Sequence, residues 1–261
     1  MGKRSRPLRS DPAVRELVTL MREHNSPGQE DFLAVLKEVE RMEQQLATAV
    51  EELAAMRQEL ARTRNGPVKR TLTKAVHGLE RGVSALAEHL KTLKASVVDS
   101  CRQTVAAFRE HGASALAHAS RFLHVRAALE AVGWAADFAM AQREKSMSLL
   151  RELTGTYREA GRHLKNAGRV LAGLEPVAET GGPGRLIRAM EALCEKEKGV
   201  YGCIKQGTER ASAALARFEQ AAQRPPSIRD AMRELNEKIA REQAARPVPA
   251  VEREGREPDG R

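Results

Sequence analysis

Hydrophobic residues recur every seven positions through much of the chain, and this period predicts long amphipathic helices. From Phe32 to Leu60 one apolar series repeats with this spacing, and a second apolar series stands between its members. The same double series runs from Leu72 to Phe108. Two apolar positions in every seven form the a/d seam of a coiled coil. We therefore predict two long helices, each with one continuous apolar face.

Helix-breaking residues separate the two seams and predict how they meet. The sequence Asn65-Gly66-Pro67 stops one helix and starts the next, because glycine favours a helix C-terminus and proline favours a first helical turn. So short a turn makes the two helices antiparallel neighbours. We predict a hairpin over residues 29–110.

Capping patterns predict the start of the chain's helical part. Asp11 followed by Pro12 matches an N-cap and a first helical residue, and it predicts a helix that ends at Asn25. Ser26 and Gln29 match a capping box with a proline between them at N1, so the first helix of the hairpin is predicted to start there.

The pattern is less regular after the hairpin. His111-Gly112 interrupts the register, and a short apolar helix is predicted to lead into a long one from about Ala127 to Leu174, which Pro176 ends. The last 16 residues contain three prolines and balanced charges and have almost nothing to bury, which is typical of disorder. We divide the chain into five parts: a disordered basic N-terminus (1–10), a long-helix bundle (11–175), a flexible linker (176–184), C-terminal helices (185–245) and a disordered tail (246–261).

Composition agrees with a helical protein. Aromatic residues make up only 3% of the 261 residues, and strand signals are nearly absent. Alanine, leucine, glutamate, arginine and lysine dominate, as they do in long helices. The predicted fold class is all-α, with long antiparallel helices that form a coiled-coil-like hairpin and an elongated helical bundle.

Charge is divided unevenly between the two helices of the hairpin. The chain as a whole carries 44 basic and 35 acidic residues, a net charge of +9. Residues 25–60 contain eight acids and three bases, whereas residues 61–126 contain twelve bases and four acids. The first helix carries an acidic row at its g positions that faces no matching bases on the second: Asp31, Glu38, Glu52 and Glu59. This acidic row is therefore available to water, to another helix of the chain or to a second molecule.

A row of cations lies further along the chain, on the last third of the predicted long helix. Four residues fall on one side of that helix and are called the basic stripe below: Arg158, Arg162, Lys165 and Arg169. The other side carries Tyr157, Leu164 and Leu171 together with alanines and glycines, and is predicted to be a tight packing seam. Three roles stay open for the stripe: a solvated face, a contact with the acidic row, or a contact with a nucleic-acid backbone or an acidic partner.

No stretch of the sequence carries a recognisable reaction. His111 and His118 are one heptad apart, with no acid or cysteine at ligand spacing to complete a metal site, so no metal and no cofactor are expected. The glycines near position 182 lack the G-K-[ST] ending of a phosphate loop.

Three cysteines form no C-x-x-C pair, which favours a reducing cytoplasm. No apolar stretch is long enough to span a membrane, and no membrane partner is expected.

Several segments together resemble a known family of uncharacterised helical proteins from Firmicutes, many of them encoded in conjugative or other mobile elements. The resemblance spans about residues 14–243 and includes "ELVTLMREHNSPGQEDFLAVL", "SRFLHVRAALE" and "YREAGRHLKNAGR". Ala127 stands where the resemblance implies a proline. The family has no assigned activity, so the resemblance implies no catalytic or binding residue.

Two functions are compatible with these patterns. The first is a non-enzymatic helical scaffold, an accessory protein of a mobile element that acts by contact with another helical protein or by self-association. The alternative is a sequence-indifferent nucleic-acid-binding accessory protein in DNA processing or transfer. The sustained heptads and the acidic row favour the scaffold, whereas the sequence pI of 9.8 and the basic stripe favour the alternative.

Overall fold

Long helices make up nearly all of the described structure. The computed structural model describes residues 7–63, 66–117, 122–176 and 184–223, and beyond them only positions 232, 236 and 239. The four ranges contain two short 3-10 helices and five α-helices, which are α1 (Pro12–Glu23), α2 (Gln29–Arg62), α3 (Pro67–His111), α4 (Leu123–Leu171) and α5 (Arg185–Gln223). They contain no strand, and the predicted all-α fold class is confirmed.

The chain divides into two compact units, Met1–Gln223 and Arg224–Arg261. All five helices belong to the first unit. Of the second unit only positions 232, 236 and 239 are described, and these three are helical; the predicted tail at 246–261 and the other helical residues that we predicted beyond 223 lie outside the described residues. The same holds for residues 1–6 and for most of the predicted linker, residues 177–183.

Four of the helices form a bundle in which each contacts two neighbours. Helix α2 packs against α3 and α5, and α4 also packs against α3 and α5. Chain direction alternates from one helix to the next, as in an up-down-up-down four-helix bundle. Helix α1 lies on the outside, mainly against α3. The predicted division placed α5 outside the long-helix bundle, whereas it is the fourth helix of the bundle.

The predicted seams of the hairpin are buried. On α2 the buried series includes Phe32, Val39, Leu46, Leu53 and Leu60; on α3 it includes Leu72, Leu79, Leu86 and Leu93. The two helices do not cover each other alone, because α3 packs most extensively on α4 and α2 most extensively on α5. Each apolar stripe is wide enough for two neighbours, as in globular bundles.

The junction between α1 and α2 differs from the predicted capping box. Asp11 caps α1 as predicted, since its side chain accepts a hydrogen bond from the Ala13 amide. Two residues after the end of α1, Asn25 has a left-handed conformation with φ 46°. The Ser26 amide then donates to the Met21 carbonyl at 2.8 Å. These bonds form a Schellman motif, so Ser26 ends α1 and does not start α2.

Gly28 is the residue that starts α2. Gly28 is the N-cap, directly before Gln29, the first residue of α2. Its φ of 89° lies in the left-handed region that favours glycine. A Cβ at this position would lie 2.8 Å from the ring of Phe218, near the end of α5. The start of α2 is therefore fitted against the last turns of α5.

The chain is ordered earlier than predicted. Leu8–Ser10 form a 3-10 helix, and the side chain of Leu8 is fully buried. The Arg9 amide donates a hydrogen bond to Glu40 on α2 at 3.2 Å. Disorder predicted over residues 1–10 is therefore wrong for residues 8–10, because one buried leucine anchors this segment to the bundle.

Small residues bring α3 and α4 close together. A Cβ added at Gly82 would lie 2.9 Å from the Cα of Ala139, which leaves no room for a side chain. Two turns away, the Ser146 hydroxyl donates to the Ala75 carbonyl at 2.9 Å. Close approach of these two helices thus depends on glycine, alanine and serine where a bundle usually has larger residues.

Helix α4 starts earlier and ends earlier than predicted. It runs without a break from Leu123 through Ala127, because alanine at that position leaves the helix intact where a proline would disturb it. At the other end, Gly173 has φ 72° and the Leu174 amide donates to the Arg169 carbonyl at 2.8 Å. This second Schellman motif ends the helix at Leu171, before Pro176 is reached.

Candidate interaction surface

The last part of α4 extends beyond the rest of the bundle. Ion pairs between α4 and α5 fix their alignment: Lys205 pairs with Asp137 at 2.7 Å, and Arg143 pairs with Glu195. With this antiparallel alignment, the first residue of α5, Arg185, lies opposite the region of Thr154 on α4. Residues 155–171 therefore have no neighbour from α5, and this segment of about 26 Å is called the α4 extension.

The apolar side of the α4 extension is exposed. Tyr157 is 56%, Leu164 82% and Leu171 89% exposed. Apart from the helix itself, no atom of a described residue lies within 4 Å of the position that a Cβ would take at Gly161 or Gly168. The sequence predicted a packing seam here. The seam is present as a face of the helix, but no described residue of the chain covers it.

This exposed seam continues the core register of α4 without interruption. Assigning Tyr157, Leu164 and Leu171 to heptad position a places Ala160 and Ala167 at position d. The same two positions further back on α4 are buried or partly buried in the bundle: Leu129, Val132, Ala136, Ala139, Arg143, Ser146, Leu150 and Leu153. The seam is thus a core face of the helix that extends past its partners.

The basic stripe lies on the side of the α4 extension away from the seam. Arg158, Arg162 and Lys165 are exposed, while Arg169 is half-buried and donates from Nε to the Glu175 carbonyl at 2.6 Å. Among the described residues, no ion pair joins the stripe to the acidic row. The predicted alternative in which these two rows contact each other is therefore wrong, since the extension lies beyond the end of α2.

The acidic row instead faces α5. Asp31 pairs with Arg217 at 2.8 Å, and Glu52 pairs with Lys196 at 2.9 Å. Between them Glu38 lies 4.0 Å from Arg210. Of the three destinations that were open for the row, another helix of this chain receives these three acids. Glu59 is exposed and makes no ion pair with any described residue.

These pairs set register more than stability. They are spaced along α2 and α5 in opposite directions, so each is consistent with the same antiparallel alignment. Exposed ion pairs typically contribute about 0–1 kcal/mol each, because water and salt screen them. The sequence prediction missed α5 as the partner because it compared the row only with α3 and with the stripe.

A buried arginine joins α4 to α5. Arg143 occupies a core position of α4, and its side chain is only 8% exposed. Its guanidinium donates to the Cys194 carbonyl at 3.1 Å and pairs with Glu144 and Glu195. Its place in the a series, seven residues before Leu150, is the signal that could have revealed it in the sequence.

A carboxyl group is buried further along α5. Glu197 on α5 is fully buried, and neither of its oxygens nor the Tyr201 hydroxyl makes an aligned hydrogen bond within the described residues. Burial raises the pKa of Glu197 to about 7, with a further rise from Glu52 and a partial offset by the Tyr201 hydroxyl. Burial likewise raises the pKa of Tyr201, so its phenol stays protonated.

An exposed aromatic cluster is the other surface feature that the sequence reasoning missed. Trp134 on α4 is 65% exposed and stacks on Phe138, with the ring centroids 6.0 Å apart. His89 on α3 meets the Trp134 ring edge-on at 6.3 Å. The i, i+4 spacing of Trp134 and Phe138 on one helix was the available signal.

Reactive groups are few in the described part of the chain. It contains no cluster of three or more histidine, cysteine or acidic side chains suited to a metal ion. All three cysteines are free thiols, and burial raises the pKa of Cys101 and of Cys194 to about 12, so both are protonated and unreactive. Over the same residues, every helix is too short or too polar to cross a lipid bilayer.

Comparisons with known proteins return a family and no activity. No curated protein and no solved structure matches this chain. One family matches, described as a family of unknown function (DUF6674), and the match covers residues 10–256. Since this is nearly the whole length of the 261 residues, the chain belongs to the family of unknown function DUF6674.

Proposed function

We propose that the protein is a non-enzymatic helical scaffold that acts by protein contact, and that the seam of the α4 extension is its contact surface. One observation carries the proposal: an apolar heptad face that is buried as far as Leu150 continues to Leu171 with 82% and 89% exposure at its two leucines. Apolar surface that is grouped in this way, rimmed by polar residues, is typical of an interaction site.

The geometry suits a contact surface in a second respect. Helix α4 is one continuous helix from Leu123, and its first two thirds are held by α3 and α5. The extension is therefore presented in a helical conformation before any partner arrives. A partner that docks on a preformed helix does not have to supply the free energy of ordering it.

The second candidate function uses the opposite side of the same segment. The cations of the basic stripe span about 16 Å along the helix, a spacing that suits a nucleic-acid backbone. Such binding would be indifferent to base sequence. In either case we propose a cytoplasmic location, in line with the unpaired cysteines, and a role as an accessory protein of a mobile element, in line with the resemblance described above.

A capture experiment separates the two functions. Tagged full-length protein is incubated with lysate of the native host, as wild type, as Leu164→Asp and as the control Arg162→Asp, which puts the same residue on the opposite side of the helix. We expect bound proteins to be lost with Leu164→Asp and retained with Arg162→Asp. Equal capture by all three would contradict the seam as the contact surface.

The stripe is tested on duplex DNA of unrelated sequences. If it binds phosphates, affinity falls with salt at a log-log slope of about −0.9 per phosphate contacted. Changing Arg158, Arg162, Lys165 and Arg169 together to Gln then flattens the slope and leaves melting unchanged, because glutamine is nearly as good a helix former. No measurable binding at low salt would remove this candidate.

A further inference from the structure

We infer that the molecule that covers the seam is a second copy of this chain, whose own α4 extension packs on it in antiparallel orientation so that two bundles meet end to end. The inference rests on the function proposed above and deepens it by naming the partner. It follows from where the neighbouring helices stop, from the sizes of the seam residues and from where the charges lie.

Three helices have one end at the same level, at the base of the extension: α2 ends there, and α3 and α5 begin there. The Ser146 to Ala75 hydrogen bond aligns α3 with α4 and places Pro67, the first residue of α3, near Thr154. The pairing of Glu52 with Lys196 likewise places the end of α2, Arg62, near the start of α5. In the described part of the chain, the bundle therefore has no helix left to cover residues 155–171.

The orientation follows from what α4 packs against in the bundle. Both of its neighbours there, α3 and α5, run antiparallel to it. A second copy that approaches end on, related by a twofold axis across the helices, presents its extension antiparallel as well. Each extension then takes the place that α3 or α5 would have occupied had it been longer. Such a contact uses one surface twice and closes as a dimer.

The sizes of the seam residues suit this pairing. Antiparallel helices place position a of one helix opposite position d of the other. Here position a holds the large residues Tyr157, Leu164 and Leu171, and position d holds Ala160 and Ala167. With Ala160 opposite Leu171 and Ala167 opposite Leu164, both leucines of each extension meet an alanine of the other. The contact of Gly82 with Ala139 already shows two helices of this bundle in the same close approach.

The charges permit two identical surfaces to meet. The cations of the stripe occupy heptad positions b and f, on the far side of the helix from the seam. The flanking e and g positions, which choose partners by charge, hold Gly161, His163, Gly168 and Val170. An acidic partner would be recognised by lysine or arginine at these positions. Their absence there favours a partner whose own margin also lacks lysine, arginine and acidic residues, which a second copy has.

The mass of the full chain in solution tests the dimer. Light scattering at high micromolar concentration should give twice the chain mass of 28.7 kDa for the wild type and for the control Arg162→Asp. Leu164→Asp should give the monomer mass, and at dilutions where the wild type is also monomeric the two should melt at the same temperature, because Leu164 is exposed within one chain. Equal numbers of Leu164→Glu and Leu164→Lys chains, each monomeric alone, should associate when mixed.

Cross-linking tests the orientation, in a Cys203→Ser background since Cys203 is the exposed thiol. A mixture of Ala160→Cys chains and Leu171→Cys chains should form an interchain disulfide on air oxidation, because these residues face each other in the antiparallel pair. Ala160→Cys chains alone should not. The opposite result, in which Ala160→Cys chains cross-link by themselves, indicates parallel helices and overturns the inference.

Failure of this inference is distinguishable from failure of the proposed function. A wild-type chain that stays monomeric at high micromolar concentration, while Leu164→Asp still abolishes capture of another protein, overturns the second copy as partner and leaves the contact surface in place. A monomer whose protein capture is indifferent to Leu164→Asp overturns both.

Discussion

At the scale of single residues, Glu197 links the stability of the bundle to pH. Besides burial, its pKa responds to the Tyr201 hydroxyl on α5 and to Glu52 on α2, and neither group carries a positive charge. The pKa rises from 4.5 to about 7 in the folded chain. The folded state therefore keeps a proton that the unfolded state releases, and stability falls as pH rises between these two values.

We expect Glu197→Gln to become progressively more stable than the wild type as pH rises from 5 to 8. A shift of this size corresponds to about 3 kcal/mol in the free energy of unfolding once pH exceeds 7. Urea unfolding at several pH values, followed by circular dichroism, measures the difference. Glu51→Gln, at an exposed position of α2, is the control that should track the wild type throughout. A difference that is constant with pH would show that Glu197 is not buried as described.

Two glycines give opposite predictions for the same substitution. Gly28→Ala should destabilise the chain by about 1–2 kcal/mol, because its φ of 89° disfavours alanine and the added Cβ would lie 2.8 Å from Phe218. Gly155→Ala should stabilise it by about 0.5–1 kcal/mol, since that position is helical and open. Thermal melting of the two variants side by side tests both; a shift of the same sign in each would refute the stated roles.

At the scale of elements, the heptad seams decide which substitutions the bundle tolerates. Leu46→Asp places an unpaired carboxylate in the buried face of α2, where Leu46 is 8% exposed. We expect a loss of several kcal/mol, about the range seen for buried charges without partners. Ala47→Asp, one residue on and exposed, should cost no more than about 0.5 kcal/mol. Denaturant midpoints of the two variants provide the comparison, and similar midpoints would mean that the seam is not packed.

The sequence predicted a helix end correctly where a side chain caps its own helix. It did not where a contact with another helix determines the first residue. Asp11 caps α1 by a hydrogen bond within its own turn, so its role could be read from the sequence. Ser26 carries an equally good capping pattern, yet α2 starts at Gln29. Two features determine this start in place of the capping pattern. The left-handed Asn25 ends α1, and only a glycine at position 28 can lie so close to Phe218.

At the scale of the whole first unit, the sequence correctly predicted the charged faces of the helices but not the helix that the acidic row contacts. The acidic row and the basic stripe both exist as faces of helices. The partners of the acidic row lie on α5, which the sequence prediction placed in a separate segment because of the glycine-rich stretch before it. Lys196, Arg210 and Arg217 lie on α5 at intervals of fourteen and seven residues, and this spacing, compared with that of the acidic row, is the signal that could have identified the pairing.

Local sequence alone determined that the chain is helical and which face of each helix is apolar, because helical periodicity and caps depend on residues within one or two turns of each other. Tertiary structure alone decided which of those faces are covered. The seam at Tyr157, Leu164 and Leu171 has the same period as the buried one at Leu129, Ala136 and Leu150. What distinguishes them is the length and alignment of α3 and α5, whose first residues lie near the level of Thr154 on α4. These are separate helices, so the sequence of α4 does not indicate where its neighbours begin.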